Sequence, residues 1–366
     1  MRPKPHIVDL PIYQPGKPIE EVKRELGLDE VIKLASNENP YGSSSLVAEA
    51  IQAELSQLSL YPDGSSAELT TVLGEHLGVE RNQIIFGCGS DEVIALITRA
   101  FILPQDESIM ADQTFSVYKT NVDIEGGISI EVPLKDGVHD LDAMLAAVTD
   151  HTKIIWICNP NNPTGTIVEH DNLISFLNQV PSHVLVVLDE AYCEFVTDEN
   201  YSDGISLLNQ YPNLVALRTF SKIYGLASLR IGYAVASAQT ITYINQVREP
   251  FNTSRIAQAA AKAALTDYDF VEACRTKNQQ GIEYLCGQFD ELGLSYFPAN
   301  GNFIFVNIES SGLEMFQSLL KQGIIIRAGF GKYPNYIRVS VGTPEQNEKF
   351  ITALKLALAH AQILNK

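Results

Sequence analysis

Four polar stretches follow apolar runs that read as buried strands. In NLVALRTFSK the run ends at Ser221 and Lys222, and Arg230 stands eight residues beyond the lysine. VLVVLDEAY ends at Asp189 and Glu190 with Tyr192 close behind, and TKIIWIC leads into the stiff turn NPNNPTG, where Asn162 is a fixed donor. The fourth, FGCGSDEV, joins a strand to a helix through glycines. Ser90 and Asp91 would open that helix, where free N–H groups favour an anion. Each stretch admits an ordinary explanation: Ser-Lys pairs are usually surface pairs, Asp91 is a common kind of helix cap, and a plain salt bridge would serve Asp189. A dinucleotide fingerprint fits less well, since Glu92 stands where its third glycine belongs.

What favours chemistry is the shared position. All four stretches fall at the C-terminal ends of predicted strands, where open parallel sheets bind ligands. A lysine among apolar or cationic neighbours is nucleophilic near neutral pH, and its characteristic use is a Schiff base with a carbonyl. A buried carboxylate such as Asp189 needs a partner, because ionised groups are costly to desolvate. A carbonyl cofactor that also wants an anion site and a carboxylate for a protonated ring nitrogen is pyridoxal phosphate.

Bringing these groups to one edge requires parallel strands alternating with helices. QIIFG, ESIMA, TKIIWIC, HVLVVLD and NLVALRTF read as strands buried on both faces; SDEVIALITRAF and EHDNLISFLNQ read as helices between them. The pattern predicts an α/β fold with a mostly parallel, doubly wound sheet. Residues 1–40, rich in Pro and Gly with no sustained helical period, read as an arm. YGSSSLVAEAIQAEL begins a helix behind small hydroxylated caps. Beyond residue 247 the texture changes to long Ala- and Gln-rich helices, then the strands NFIFVNI and YIRVSVG with further helices. The reading is therefore an arm over 1–40, a large domain over 41–247 and a smaller α+β domain over 248–366.

The totals exclude several classes. In a chain of 366 residues, 44 acidic against 26 basic side chains leave a net charge of −18, which repels nucleic acid and anionic membranes. Five widely spaced cysteines without a CxxC pair point to reduced thiols and a cytoplasmic setting. No stretch has the length of a membrane span, and seven histidines without HExxH or a neighbouring cysteine argue against a metal site.

NPNNPTG, DEAY and SKIYGLASLR together resemble the marks of fold-type I aminotransferases, in matching order over most of the chain. That resemblance implies a pyridoxal-phosphate fold with Lys222 as the Schiff-base lysine and Asp189 on the pyridine nitrogen. It places Asn162 and Tyr192 on the phenolic oxygen, and Ser90, Asp91, Ser221 and Arg230 on the phosphate, with Arg230 returning from a helix that follows the lysine. Phe115 in DQTFSVY matches the ring-stacking aromatic, where many relatives have tyrosine. YIRVSVGT resembles the segment with the carboxylate-binding arginine, here Arg338. The N-terminal YQPGK, LASNENPYG and YPDG resemble the histidinol-phosphate aminotransferase branch. In that branch Tyr61 would reach across a homodimer interface to the neighbour's cofactor phosphate, and Arg327 with Tyr13 would hold the substrate's phosphate. The implied substrates are L-histidinol phosphate and 2-oxoglutarate; an aromatic amino-acid aminotransferase is the alternative.

Overall fold

The structure is a computed structural model describing residues 3–8, 10, 12 and 17–364. Tyr13 lies outside the described residues. The strands are, in chain order, β1 (Ile32–Lys33), β2 (Ile84–Gly87), β3 (Glu107–Ala111), β4 (Ile128–Val132), β5 (Thr152–Cys158), β6 (Leu185–Asp189), β7 (Leu214–Thr219), β8 (Gly232–Ala236), β9 (Phe303–Asn307), β10 (Ile324–Ile325) and β11 (Tyr336–Ser340).

Seven of them form one sheet in the order β2-β8-β7-β6-β5-β3-β4. β3 pairs in parallel with β4 and β5, and β5, β6 and β7 continue in parallel. β8 is antiparallel to both β7 and β2, so within this sheet it alone runs the other way. β6 shows why the central strands read as continuous apolar runs. Its Val186 and Leu188 face a core with Leu173, Phe176 and Tyr224, while Leu185 and Val187 face another with Val93, Ile97 and Trp156. Helices cover both faces, so alternation by two carries apolar residues in each direction.

A further core gathers Ile304 and Val306 of β9, Ile337 and Val339 of β11, Phe289, Leu319 and Phe350. Ile32 and Leu34 belong to it, because β1 pairs in parallel with β10.

Three features depart from the sequence reading. Residues Ile19–Leu26, inside the expected arm, form a helix that buries Val22 against Leu320 and Ile325. Eight residues hold too few apolar positions for a period to show. β4 and β8 had no strand signature: β4 is an edge strand with Ile128 exposed, and GYAVA has little β-branched content. The helix Arg255–Ala264 buries Ala257, Ala260, Ala261 and Ala264 in the core beneath the seven-stranded sheet. Among the described residues no helix is long and apolar enough to cross a membrane.

Candidate active site

A cleft of about 880 Å³ opens over the C-terminal ends of β2, β3, β5, β6 and β7, within the range of small-molecule sites. Ser90, Asp91, Phe115, Asn162, Asp189, Tyr192, Ser221, Lys222, Arg230, Arg327 and Arg338 all line it. Tyr61 does not; it is 78% exposed and stacked on Phe251 with ring centroids 4.7 Å apart.

Asp189, the last residue of β6, is buried. Tyr118 donates its hydroxyl to one carboxylate oxygen at 2.5 Å, and the backbone N–H of Ala191 reaches the other at 3.1 Å. Both donors are neutral. Burial therefore dominates and pushes the carboxyl up to about 6. Glu190 points to the opposite side, where Arg218 Nε meets it at 2.9 Å and the N–H of Gly204 at 2.7 Å.

Lys222 lies three residues beyond β7, its Nζ 3.2 Å from the carbonyl oxygen of Ser36 and 5.5 Å from the Tyr192 ring centre. Burial first, then the positive charge of Arg338, lowers its amine to about 8. A sizeable fraction is thus neutral near physiological pH. Gly225 is why this loop sits so close to the N-terminal segment: with φ of +71°, a Cβ there would fall 1.9 Å from the carbonyl oxygen of Gly42.

At the other end of the cleft floor, the helix Ser90–Phe101 starts behind Gly89. Gly89 has φ of +76°, and a Cβ would lie 2.4 Å from an Arg230 nitrogen. Arg230 is not on a long helix after the lysine; it follows a short 3₁₀ turn, Ala227–Leu229, and precedes β8. Because β8 is antiparallel, its beginning lies at the edge where the other strands end. Arg230 pairs with Asp91 at 3.1 Å.

The opposite wall carries two guanidiniums. Arg327 and Arg338 face each other across an antiparallel bridge, which places their side chains on one side. Arg338 donates to Asn162 Oδ1 at 2.5 Å and to the Ala35 carbonyl. Among the described residues Arg327 has no side-chain hydrogen-bond or ion-pair partner, which leaves a cation turned to the cleft.

Sequence reasoning missed Tyr118 and Asn37. Tyr118 looks like one more aromatic in FSVYKT, and only its contact with Asp189 singles it out. Asn37, held by Ser340, donates to the Tyr192 hydroxyl at 3.0 Å. LASNENPYG thus threads the cleft, supplying Ala35, Ser36 and Asn37.

The site fits pyridoxal phosphate. A buried carboxylate with only neutral donors suits a protonated ring nitrogen, a depressed amine suits an aldehyde, and a glycine cradle with a helix start and Arg230 suits a phosphate. The model of the aminotransferase class I and II family matches residues 29–354, so the chain belongs to that family of transferases, and its cofactor is pyridoxal phosphate. Within it, the histidinol-phosphate aminotransferase of Brevibacillus brevis is 53% identical over 356 residues, covering 97% of this chain and 98% of that protein. That of a Geobacillus species is 52% identical with both chains covered in full. The crystal structure of histidinol-phosphate aminotransferase from Sinorhizobium meliloti in complex with pyridoxal-5'-phosphate matches with a TM-score of 0.91 at 29% identity, over 98% of each chain.

Proposed function

We propose that this chain transfers the amino group between L-histidinol phosphate and 2-oxoglutarate, giving imidazole-acetol phosphate and L-glutamate in histidine synthesis. The observation that carries the substrate choice is Arg327, a guanidinium with no side-chain partner among the described residues, beside Arg338 in the cleft of a chain about half identical to histidinol-phosphate aminotransferases.

When bound, the cofactor supplies an aldehyde for the amino group and a ring that draws electrons from the neighbouring carbon. Lys222 would hold that aldehyde and, once the substrate amine had displaced it, would take the proton from the substrate carbon bearing nitrogen and return it to the former aldehyde carbon on the other side of that nitrogen. Asp189 would pair with the ring nitrogen and keep it protonated. Asn162 and Tyr192 would bond the phenolic oxygen, and Phe115 would cover the ring. The phosphate would rest on Ser90, Ser221 and Arg230 and on the N–H groups at the helix start. The Asp91 carboxylate repels a phosphate, so its side chain acts by orienting Arg230. Arg327, with Tyr13, would hold the substrate's phosphate, and Arg338 would grip the carboxylate of glutamate through paired hydrogen bonds.

Leu58, Leu60 and Tyr61 are exposed apolar residues close in sequence, and Tyr61 stacks on the exposed Phe251, which supports pairing into a homodimer with Tyr61 reaching the neighbour's cofactor phosphate. The reduced cysteines and acidic charge support work in the cytoplasm.

The test is steady-state kinetics with L-histidinol phosphate and L-phenylalanine as rival donors. The expected kcat/KM ratio favours histidinol phosphate by about 100-fold or more, since a site built for a charged group rejects a donor lacking it. Equal values would replace this reading with an aromatic amino-acid aminotransferase.

A further inference from the structure

Asp189 poses a problem that the cofactor alone does not solve. Burial favours its neutral form, and a neutral carboxyl cannot pair with a cationic ring nitrogen. The nearby Asp91 and Glu190 carboxylates add to that bias, while the Cys158 thiol and Tyr192 hydroxyl are themselves held neutral by burial. Two groups favour the anion: the Ala191 N–H and the Tyr118 hydroxyl.

Tyr118 is fully buried on the helix Val117–Glu125. Its ring stacks on Trp156 with centroids 4.8 Å apart and planes 8° from parallel. Trp156 is in turn fixed by its Nε1, which donates to Ser108 Oγ at 2.9 Å. The hydroxyl thus reaches Asp189 from a ring that is already immobilised.

We propose that Tyr118 is a positioning residue for the cofactor's carboxylate partner: its hydroxyl keeps Asp189 ionised and aimed into the cleft, so the ring nitrogen meets an anion at neutral pH. This rests on the pyridoxal-phosphate site described above. Burial raises the tyrosine's own ionisation far above neutral, so it remains a donor throughout the working range.

The test uses the full chain freed of cofactor, titrated with pyridoxal phosphate from about pH 5 to about pH 9 and read by fluorescence of Trp156. This is the chain's single tryptophan. Tyr118→Phe keeps the ring and its stacking and removes only the donor, so Asp189 should take up its proton at higher pH. The expected result is about fivefold weaker binding near pH 6, approaching about tenfold near pH 5 and converging on the unaltered chain by about pH 9, since a hydrogen bond to a charged group is worth on the order of one pKa unit. Ser108→Ala loosens the same packing but leaves the hydroxyl donor in place, so its shift should be clearly the smaller of the two. In an Asp189→Asn background, Tyr118→Phe should change nothing. A loss equal at every pH, no loss, or the same shift in Ser108→Ala would reduce Tyr118 to packing and overturn the proposal. Absence of any fluorescence response in the unaltered chain would overturn the site and the proposal with it.

Discussion

Asp189 and Glu190 are consecutive carboxylates at the end of one strand, and the protein treats them oppositely. On the side of the cleft, Asp189 has only neutral donors and is pushed up to about 6. On the reverse side, Glu190 is bonded by Arg218, by the Gly204 N–H and by the Tyr201 hydroxyl, which also reaches the carbonyl of Asn159. That second network ties together the ends of β5, β6 and β7, the strands that carry Asn162, Asp189 and Lys222. One carboxylate is left short of charge for a ligand to complete; the other is completed internally. Where a buried charge has its full set of partners it holds the fold, and where it lacks a cation it marks the place of one.

The largest expected effect breaks the cleft side. Lys222→Ala should abolish turnover while thermal unfolding, followed by circular dichroism, stays close to that of the unaltered chain; near-normal turnover would refute the assignment. Asp189→Asn should lower kcat by about 10²- to 10³-fold, the scale of losing one aligned electrostatic partner, again with little change in unfolding. Glu190→Ala tests the reverse side and should show the opposite balance. It leaves the buried Arg218 with Asp203 as its remaining ion-pair partner and the Gly204 N–H without its acceptor, and should cost about 3 kcal/mol of stability in urea unfolding, while the protein that remains folded keeps most of its kcat. If Glu190→Ala instead lost activity at full stability, the two faces would not be divided as described.

A smaller effect concerns pH. The Lys222 amine titrates at about 8 in the cofactor-free cleft; below that it is mostly ammonium and cannot attack an aldehyde. The initial rate of cofactor loading should therefore rise with pH through about 8 and level off above it. It should fall by about tenfold for each unit below, as the neutral fraction does. Absorbance at the cofactor band reads this directly, and a rate flat across that window would mean that another step controls loading. The mildest change is Tyr201→Phe, which removes one neutral donor from Glu190 and should cost about 1 kcal/mol of stability with kcat unaltered.

Much of this was legible in the sequence because strand ends announce themselves. Continuous β-branched runs mark β5, β6 and β7, and the polar stretches at their ends carry Asn162, Asp189 and Lys222. The edge strand β4 and the antiparallel β8 lacked such runs, and the short helix Ile19–Leu26 lacked length. Arg230 was read from its spacing to the lysine, but on the wrong kind of element; the reversed direction of β8 is what returns it to the cleft.

The sequence by itself determined the class of chemistry: a lysine, a carboxylate and a glycine-opened helix, each at the end of a buried strand, follow from local pattern alone. Only the tertiary structure decided which neighbours each group meets. Tyr118 on Asp189, Asn37 on Tyr192 and Arg218 on Glu190 are separated by 71, 155 and 28 residues. Hydrogen bonding and desolvation act over a few ångströms of space, and no local pattern along the chain records which distant segments will come that close.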